Sequence, residues 1–169
     1  VVVKACSWKI MHKTGKGLIS LNVQTQAGVQ EAFRNIHKAA GSEIPILIQK
    51  QIAGNREFVV GMTRSPSFGP CVLFGLGGIF TEAFTDTTFR SAPLSLTEAQ
   101  EMITDIRTKK LVGAFRGMPA VDKAKLSRII QAVGFISLLH PEIAEIDLNP
   151  VLIEEDQPVV VDALMVLNN

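Results

Sequence analysis

An α+β fold is predicted for this 169-residue chain, and three observations carry the prediction. Apolar, β-branched runs of strand length recur along it, bounded by Gly, Pro, Asn and Asp turn signals. Three segments show helical spacing or caps, at 25–40, 97–106 and 122–139. Strands and helices are mixed, with many antiparallel strand neighbours.

The elements follow in order. Val1-Val2-Val3-Lys4 reads as a strand already under way, with no initiator Met and no cap before it. The expectation is a fragment of a protein that extends further at its N-terminus. Residues 6–17 are polar and hold Ser7, His12, Lys13, Thr14, Gly15, Lys16 and Gly17, the pattern of a mobile loop. A strand follows over 18–23. Thr25 is placed to cap a helix towards Ala40, with Val29, Phe33 and Ile36 on one face. Gly41-Ser42 ends it. Ile46-Leu47-Ile48 begins a strand, and Ala53-Gly54-Asn55 turns the chain into another over 57–62. After Gly69-Pro70, the apolar run Cys71 to Phe74 is broken by Gly75-Leu76-Gly77-Gly78 and resumes over 79–84. Thr97 is read as the cap of a helix whose apolar face holds Met102, Ile103 and Ile106. The next helix carries Leu126, Ile129, Ile130 and Val133 at helical spacing, and His140-Pro141 stops it. A hairpin closes the chain.

Composition narrows the class. At 47% apolar residues, the chain can bury a real core, as one large domain or two small lobes. A net charge of +1 without a basic, aromatic-laced stripe argues against nucleic acid. The apolar runs are too short to span a membrane. Cys6 and Cys71 lie far apart, which points to reduced thiols in a cytoplasmic protein rather than a disulfide framework. No signal peptide is visible.

The closing hairpin is the richest feature. If Val151-Leu152-Ile153 and Val159-Val160-Val161 pair about Glu155 and Asp156, then Asn149 falls opposite Asp162. Opposed side chains lie roughly 5 Å apart. An amide oxygen, a carboxylate and water suit Mg²⁺ carried in on nucleotide phosphates. The same pattern also fits a core hairpin with a polar edge, and a slip of one residue would part the pair. Lys4, at the end of an apolar strand, either meets a phosphate or reaches solvent. Gln49 and Glu57 flank the Gly54-Asn55 turn. If their strands pair, they share one hairpin end and could bind a ribose or a base amino group. A solvated face is the other reading. Gly75-Leu76-Gly77-Gly78 permits close backbone approach to a ligand, yet is neither a Walker loop nor a Rossmann fingerprint. His12, beside Lys13 and Lys16, could attack phosphorus, or it is a plain surface histidine. His37 and His140 read as structural, and no zinc spacing occurs.

Taken together, the motifs resemble the ATP-grasp domain of the nucleoside-diphosphate-forming acyl-CoA synthetases, relatives of the succinyl-CoA synthetase β subunit. The likeness covers nearly the whole chain. It runs through Val1 to Lys4, His12-Lys13-Thr14, Ile48-Gln49 to Glu57, and Gly69-Pro70 to Glu82. Phe89 to Leu94, Arg116-Gly117 and Glu145 to Pro150 complete it.

The resemblance implies a large ATP-grasp lobe over 51–169 and, over 1–50, the C-terminal part of a small nucleotide-binding lobe. Relatives carry about fifty further residues before the position of Val1, in keeping with two-lobed domains of typical size. It implies ATP/ADP and Mg²⁺ as cofactors. Lys4 would hold phosphates, the backbone of Gln49, Lys50, Gln51 and Ile52 would meet the adenine edge, and Glu57 would be a second nucleotide contact. Gly77 and Gly78 would line the nucleotide site, Asn149 and Asp162 would bind the metal, and His12 would be the phosphorylated carrier. One departure is that Gly15-Lys16 follows where relatives have an Asp. The implied activity is acid + CoA + ATP ⇌ acyl-CoA + ADP + phosphate, with this fragment inactive alone. A CoA-binding ligase domain or subunit would come from elsewhere, and oligomerisation is left open. The alternatives are a regulatory, synthetase-like domain of a protein lysine acetyltransferase and a generic ligase using an acyl phosphate.

Overall fold

The computed structural model describes residues 1–7, 17–41, 43–78 and 86–168. The chain divides into two units, Val1–Gln51 and Ile52–Asn169.

In the first unit, β1 (Val2–Ala5) lies between β2 (Ile19–Ser20) and β3 (Ile46–Gln49), antiparallel to both. Helix α1 (Gln26–Ala40) starts where the Thr25 hydroxyl accepts the Gly28 N–H at 3.1 Å, the cap expected of a threonine there. Val3, Ala5, Leu18, Val23, Ala32 and Ile36 form its core. Ala32 and Ile36 are the buried helix positions, whereas Phe33, expected inside, is exposed and lies against the His37 ring at 4.5 Å. The strand expected over 18–23 is regular for only two residues, although Leu18 and Val23 still bond Ala5 and Val1. Asn22 takes a φ of 58°, a left-handed conformation that asparagine tolerates and a strand does not.

The second unit holds β4 (Glu57–Ser65), β5 (Gly69–Leu76), β6 (Thr87–Ser91), α2 (Leu96–Asp105), a 3-10 turn (Lys109–Leu111), α3 (Lys123–Leu139), β7 (Ile143–Glu154), β8 (Gln157–Val160) and β9 (Leu164–Leu167). The sheet order is β6-β5-β4-β7-β8, with β9 also paired to β7, and every pairing is antiparallel. Phe58, Val60, Met62, Val72 and Phe74 point to one face and pack under Met102, Ile103, Leu126 and Ile130 of the helices. The Phe58 and Phe74 rings sit 5.5 Å apart. The hairpin considered between β3 and β4 does not form. β3 takes its four-residue register from β1, and both edges of β4 are filled by β5 and β7.

Helix termini explain two more features. α2 starts at Ser95 rather than Thr97. Ser95 Oγ accepts the Glu98 N–H at 3.1 Å, and Glu98 Oε2 accepts the Ser95 N–H at 2.7 Å. Only the earlier start gives this reciprocal box. The last turn of α3 leaves carbonyls without helical partners. The Arg64 guanidinium donates to Ser137 O at 2.6 Å, His140 O at 2.9 Å and Ile143 O at 2.5 Å. A cation there also complements the helix dipole. Just past α2, the Thr108 hydroxyl and the Arg107 and Thr108 N–H groups donate to the buried carboxylate of Asp86, which precedes β6. Burial pushes its pKa up, but these hydrogen bonds and the Arg107 charge outweigh burial and hold it below the ordinary value.

Candidate functional site

The hairpin turns at Glu155, whose φ is 59°, and pairs Glu154 with Gln157 through to Val151 with Val160. Val161 N–H then donates to Pro150 O at 3.2 Å. Beyond a three-residue gap, β9 rejoins β7 with Leu164 opposite Asp147. The β8 pairs and the Glu145–Asp147 pairs with β9 share one register, and carried across the unpaired gap that register would bring Asp162 opposite Asn149. Asn149 is exposed, precedes a cis Pro150, and stands where β7 bulges against β4; Asp162 is half-buried.

Their chemistry fits a hard cation. Among the described residues no group of three or more His, Cys, Asp and Glu side chains could hold a metal. A two-ligand site leaves most positions to water and phosphate oxygens, the arrangement Mg²⁺ favours with nucleotides.

The glycine cluster meets Glu57. Gly77 N–H donates to the Glu57 carbonyl at 2.8 Å. A Cβ on Gly77 would come within 2.8 Å of the Phe58 carbonyl, and one on Gly78 (φ 75°) within 2.5 Å of Glu57 Oε2. The glycines thus let the chain close on the start of β4 and lie against its carboxylate. Gly77→Ala is expected to destabilise the protein by about 1–3 kcal/mol, since backbone rather than a side chain must move. Denaturant unfolding measures this, and an unchanged midpoint would contradict the close approach.

Lys4 is buried, at 5% exposure, in the middle of the first unit's sheet. Gln49 opposes Val2, so alternation places Lys4 and Gln49 on the sheet face away from Val3, Ala5 and α1. Lys50 is exposed, and Gln51 and Ile52 are half-buried. The Gln51 amide is engaged twice with Asn22: Oε1 accepts the Asn22 N–H and Nε2 donates to Asn22 Oδ1, each at 2.6 Å. His12 lies outside the described residues.

Two features go beyond the sequence reading, the first of them a hollow built around residues of the Glu145 to Pro150 motif. Glu145 and Asp147, with Val59, Thr63, Leu73 and Phe89, line an open hollow of about 400 Å³ on the helix-free face of the second sheet. Arg56 is buried and donates to Leu111 O at 3.2 Å, Gly113 O at 3.4 Å and Glu155 O at 2.8 Å. It fastens the turn of the Asn149–Asp162 hairpin to the segment before α3.

Comparison with known proteins matches residues 1–167 to the model of a family described as ATP-grasp domain. The chain is 40% identical to the acetate–CoA ligase (ADP-forming) I subunit beta of Pyrococcus furiosus, over 99% of this chain and 75% of that one. It is 36% identical to the acetate–CoA ligase (ADP-forming) I of Archaeoglobus fulgidus, where it spans 25% of the relative's length. A solved structure of the Ca. Korarchaeum cryptofilum dinucleotide-forming acetyl-coenzyme A synthetase 1 superimposes with a TM-score of 0.87 at 37% identity, covering 99% of this chain and 76% of that one. That structure holds coenzyme A and Mg-AMPPCP, with its phosphohistidine segment pointing towards the nucleotide binding site.

Proposed function

The chain belongs to the ATP-grasp domain family, and from that premise we propose that it is the nucleotide-binding part of an ADP-forming acyl-CoA synthetase. The reaction is acid + CoA + ATP ⇌ acyl-CoA + ADP + phosphate, with the phosphoryl group carried on histidine. The observation that carries the reading is the likeness to ADP-forming ligases over nearly the whole chain; the common register of β8 and β9 along β7 is compatible with Asn149 and Asp162 as a pair. The regulatory alternative finds no support, since the matched relatives bear ligase or synthetase names.

Phosphoryl transfer needs in-line placement and countercharge more than covalent help. Lys4 supplies an ammonium to phosphate oxygens as a point charge. The backbone of Gln49 to Ile52 meets the adenine edge, Glu57 takes a further nucleotide contact, and Gly77 and Gly78 admit the ligand closely. Asn149 and Asp162 would hold Mg²⁺, which when bound neutralises phosphate charge. His12 receives the phosphoryl group and passes it on. The ligase half that binds CoA lies in another domain or subunit. Among the described residues no helix is long and apolar enough to cross a membrane, and the free thiols of Cys6 and Cys71 support a cytoplasmic setting.

The test is the complete protein with labelled ATP, Mg²⁺, CoA and a panel of acids. ADP should form over many turnovers only when acid and CoA are both present, with at most one equivalent per site released without them, and AMP as product would overturn the reading. Asp162→Asn, nearly isosteric, is expected to weaken Mg-ADP binding by roughly tenfold or more while leaving metal-free nucleotide binding alone. Calorimetry in a protein that binds nucleotide decides it; equal Mg-ADP affinities would remove Asp162 from the metal.

A further inference from the structure

The outer face of α3 does not suit water. From Ile129 to Leu139 the helix carries no charged side chain. A helix apolar on all sides is ordinarily buried on all sides. Here Phe135 is 51% exposed, Leu138 43% and Leu139 74%. The other helices differ: α1 exposes Glu31, Arg34 and Lys38, and α2 exposes Glu98, Glu101 and Asp105.

The neighbouring edge strand extends the same surface. In β9, Met165 opposes Ile146 and Leu167 opposes Ile143. Ile146 and Ile143 are buried in the core beneath the helices, so Met165 and Leu167 lie on the helix-bearing face. They are 50% and 60% exposed. Asn168 then donates through its N–H to Glu142 O at 2.7 Å and through Nδ2 to Pro141 O at 3.1 Å. These bonds hold the end of β9 beside the end of α3. An exposed apolar edge strand is a liability unless something covers it.

We propose that Phe135, Leu138, Leu139, Met165 and Leu167 form the docking surface for the ligase half of the enzyme. The inference rests on the synthetase reading above. Two observations select this occupant. The chain accounts for only 25% of the Archaeoglobus ligase's length, so in that protein most of the polypeptide lies outside the matched part. The surface is also uncharged, as in permanent interfaces that resemble a core cut in half; encounter surfaces that separate in each cycle are more polar. The partner surface is therefore apolar and its attachment lasting.

Thiol labelling tests this in the complete synthetase. Leu139→Cys and Glu101→Cys are introduced separately, with Cys6 and Cys71 replaced by serine, and maleimide addition is followed by peptide mass spectrometry. Both positions are exposed here. Cys at 139 should react about tenfold more slowly than Cys at 101, at every protein concentration, because an interface core excludes solvent. Equal rates would overturn the proposal. Protection that fades on dilution, with a light-scattering mass that falls towards one chain, would assign the surface to a second copy instead. Labelling does not depend on turnover. A protein that makes no ADP yet shows protection would sink the synthetase reading and leave the covered surface standing.

Discussion

His12→Ala in the complete synthetase is expected to abolish ADP-dependent turnover, by roughly a thousandfold or more, while nucleotide affinity stays unchanged. A carrier that bonds covalently to the phosphoryl group has no substitute when its imidazole is removed. Near pH 7 much of a free imidazole is neutral and can act as nucleophile, and Lys13 and Lys16 can stabilise the transferred charge. Acid-labile phosphate should map to His12 in the parent and vanish in the variant. Full activity of the variant, or phosphate found only in the ligase half, would leave His12 without a carrier role. Gly15-Lys16, where the family resemblance leads to the expectation of an Asp, is the local difference such a result would bring forward.

Arg56→Met should cost about 2–4 kcal/mol of stability, because three carbonyls lose a charged donor together. Burial pushes the guanidinium pKa down from its ordinary value, yet the planar fork still reaches Leu111, Gly113 and Glu155 at once. The melting temperature should fall by roughly 5–15 °C. Arg56→Lys should recover only part of this, since a single ammonium cannot span the same acceptors. Equal melting temperatures for all three proteins would show that the carbonyls find water without penalty.

Arg56 also shows where reading the chain stops. A side chain that serves carbonyls at 111, 113 and 155 leaves no local pattern, and beside Glu57 it looks like one more charge at a strand end. Arg64 is the same case at the end of α3. What was legible had local causes. Thr25 and Asp122 accept from N–H groups three residues on, and the Glu155-Asp156 turn sets the register of β7 and β8. Ser95 could have been preferred to Thr97, because Glu98 three residues later is the mark of a capping box. β6 and β9 were missed for a physical reason. Each is short and sits at or beside a sheet edge, and their exposed Phe89, Met165 and Leu167 blur the alternation that marks a half-buried strand. The pairing of β3 was a tertiary choice between two partners, which neighbouring residues do not encode.

The three residues between β8 and β9 are length-matched to the stretch of β7 they face, and this limits how the gene can drift. A residue lost or gained at 161–163 would keep β8 in place but slip β9 by one. The slip would turn Met165 and Leu167 to the opposite sheet face and swing Asp162 away from Asn149. One codon-length change would thus strike the proposed metal ligands and the apolar surface together, so insertions and deletions should be purged there even where single substitutions are tolerated.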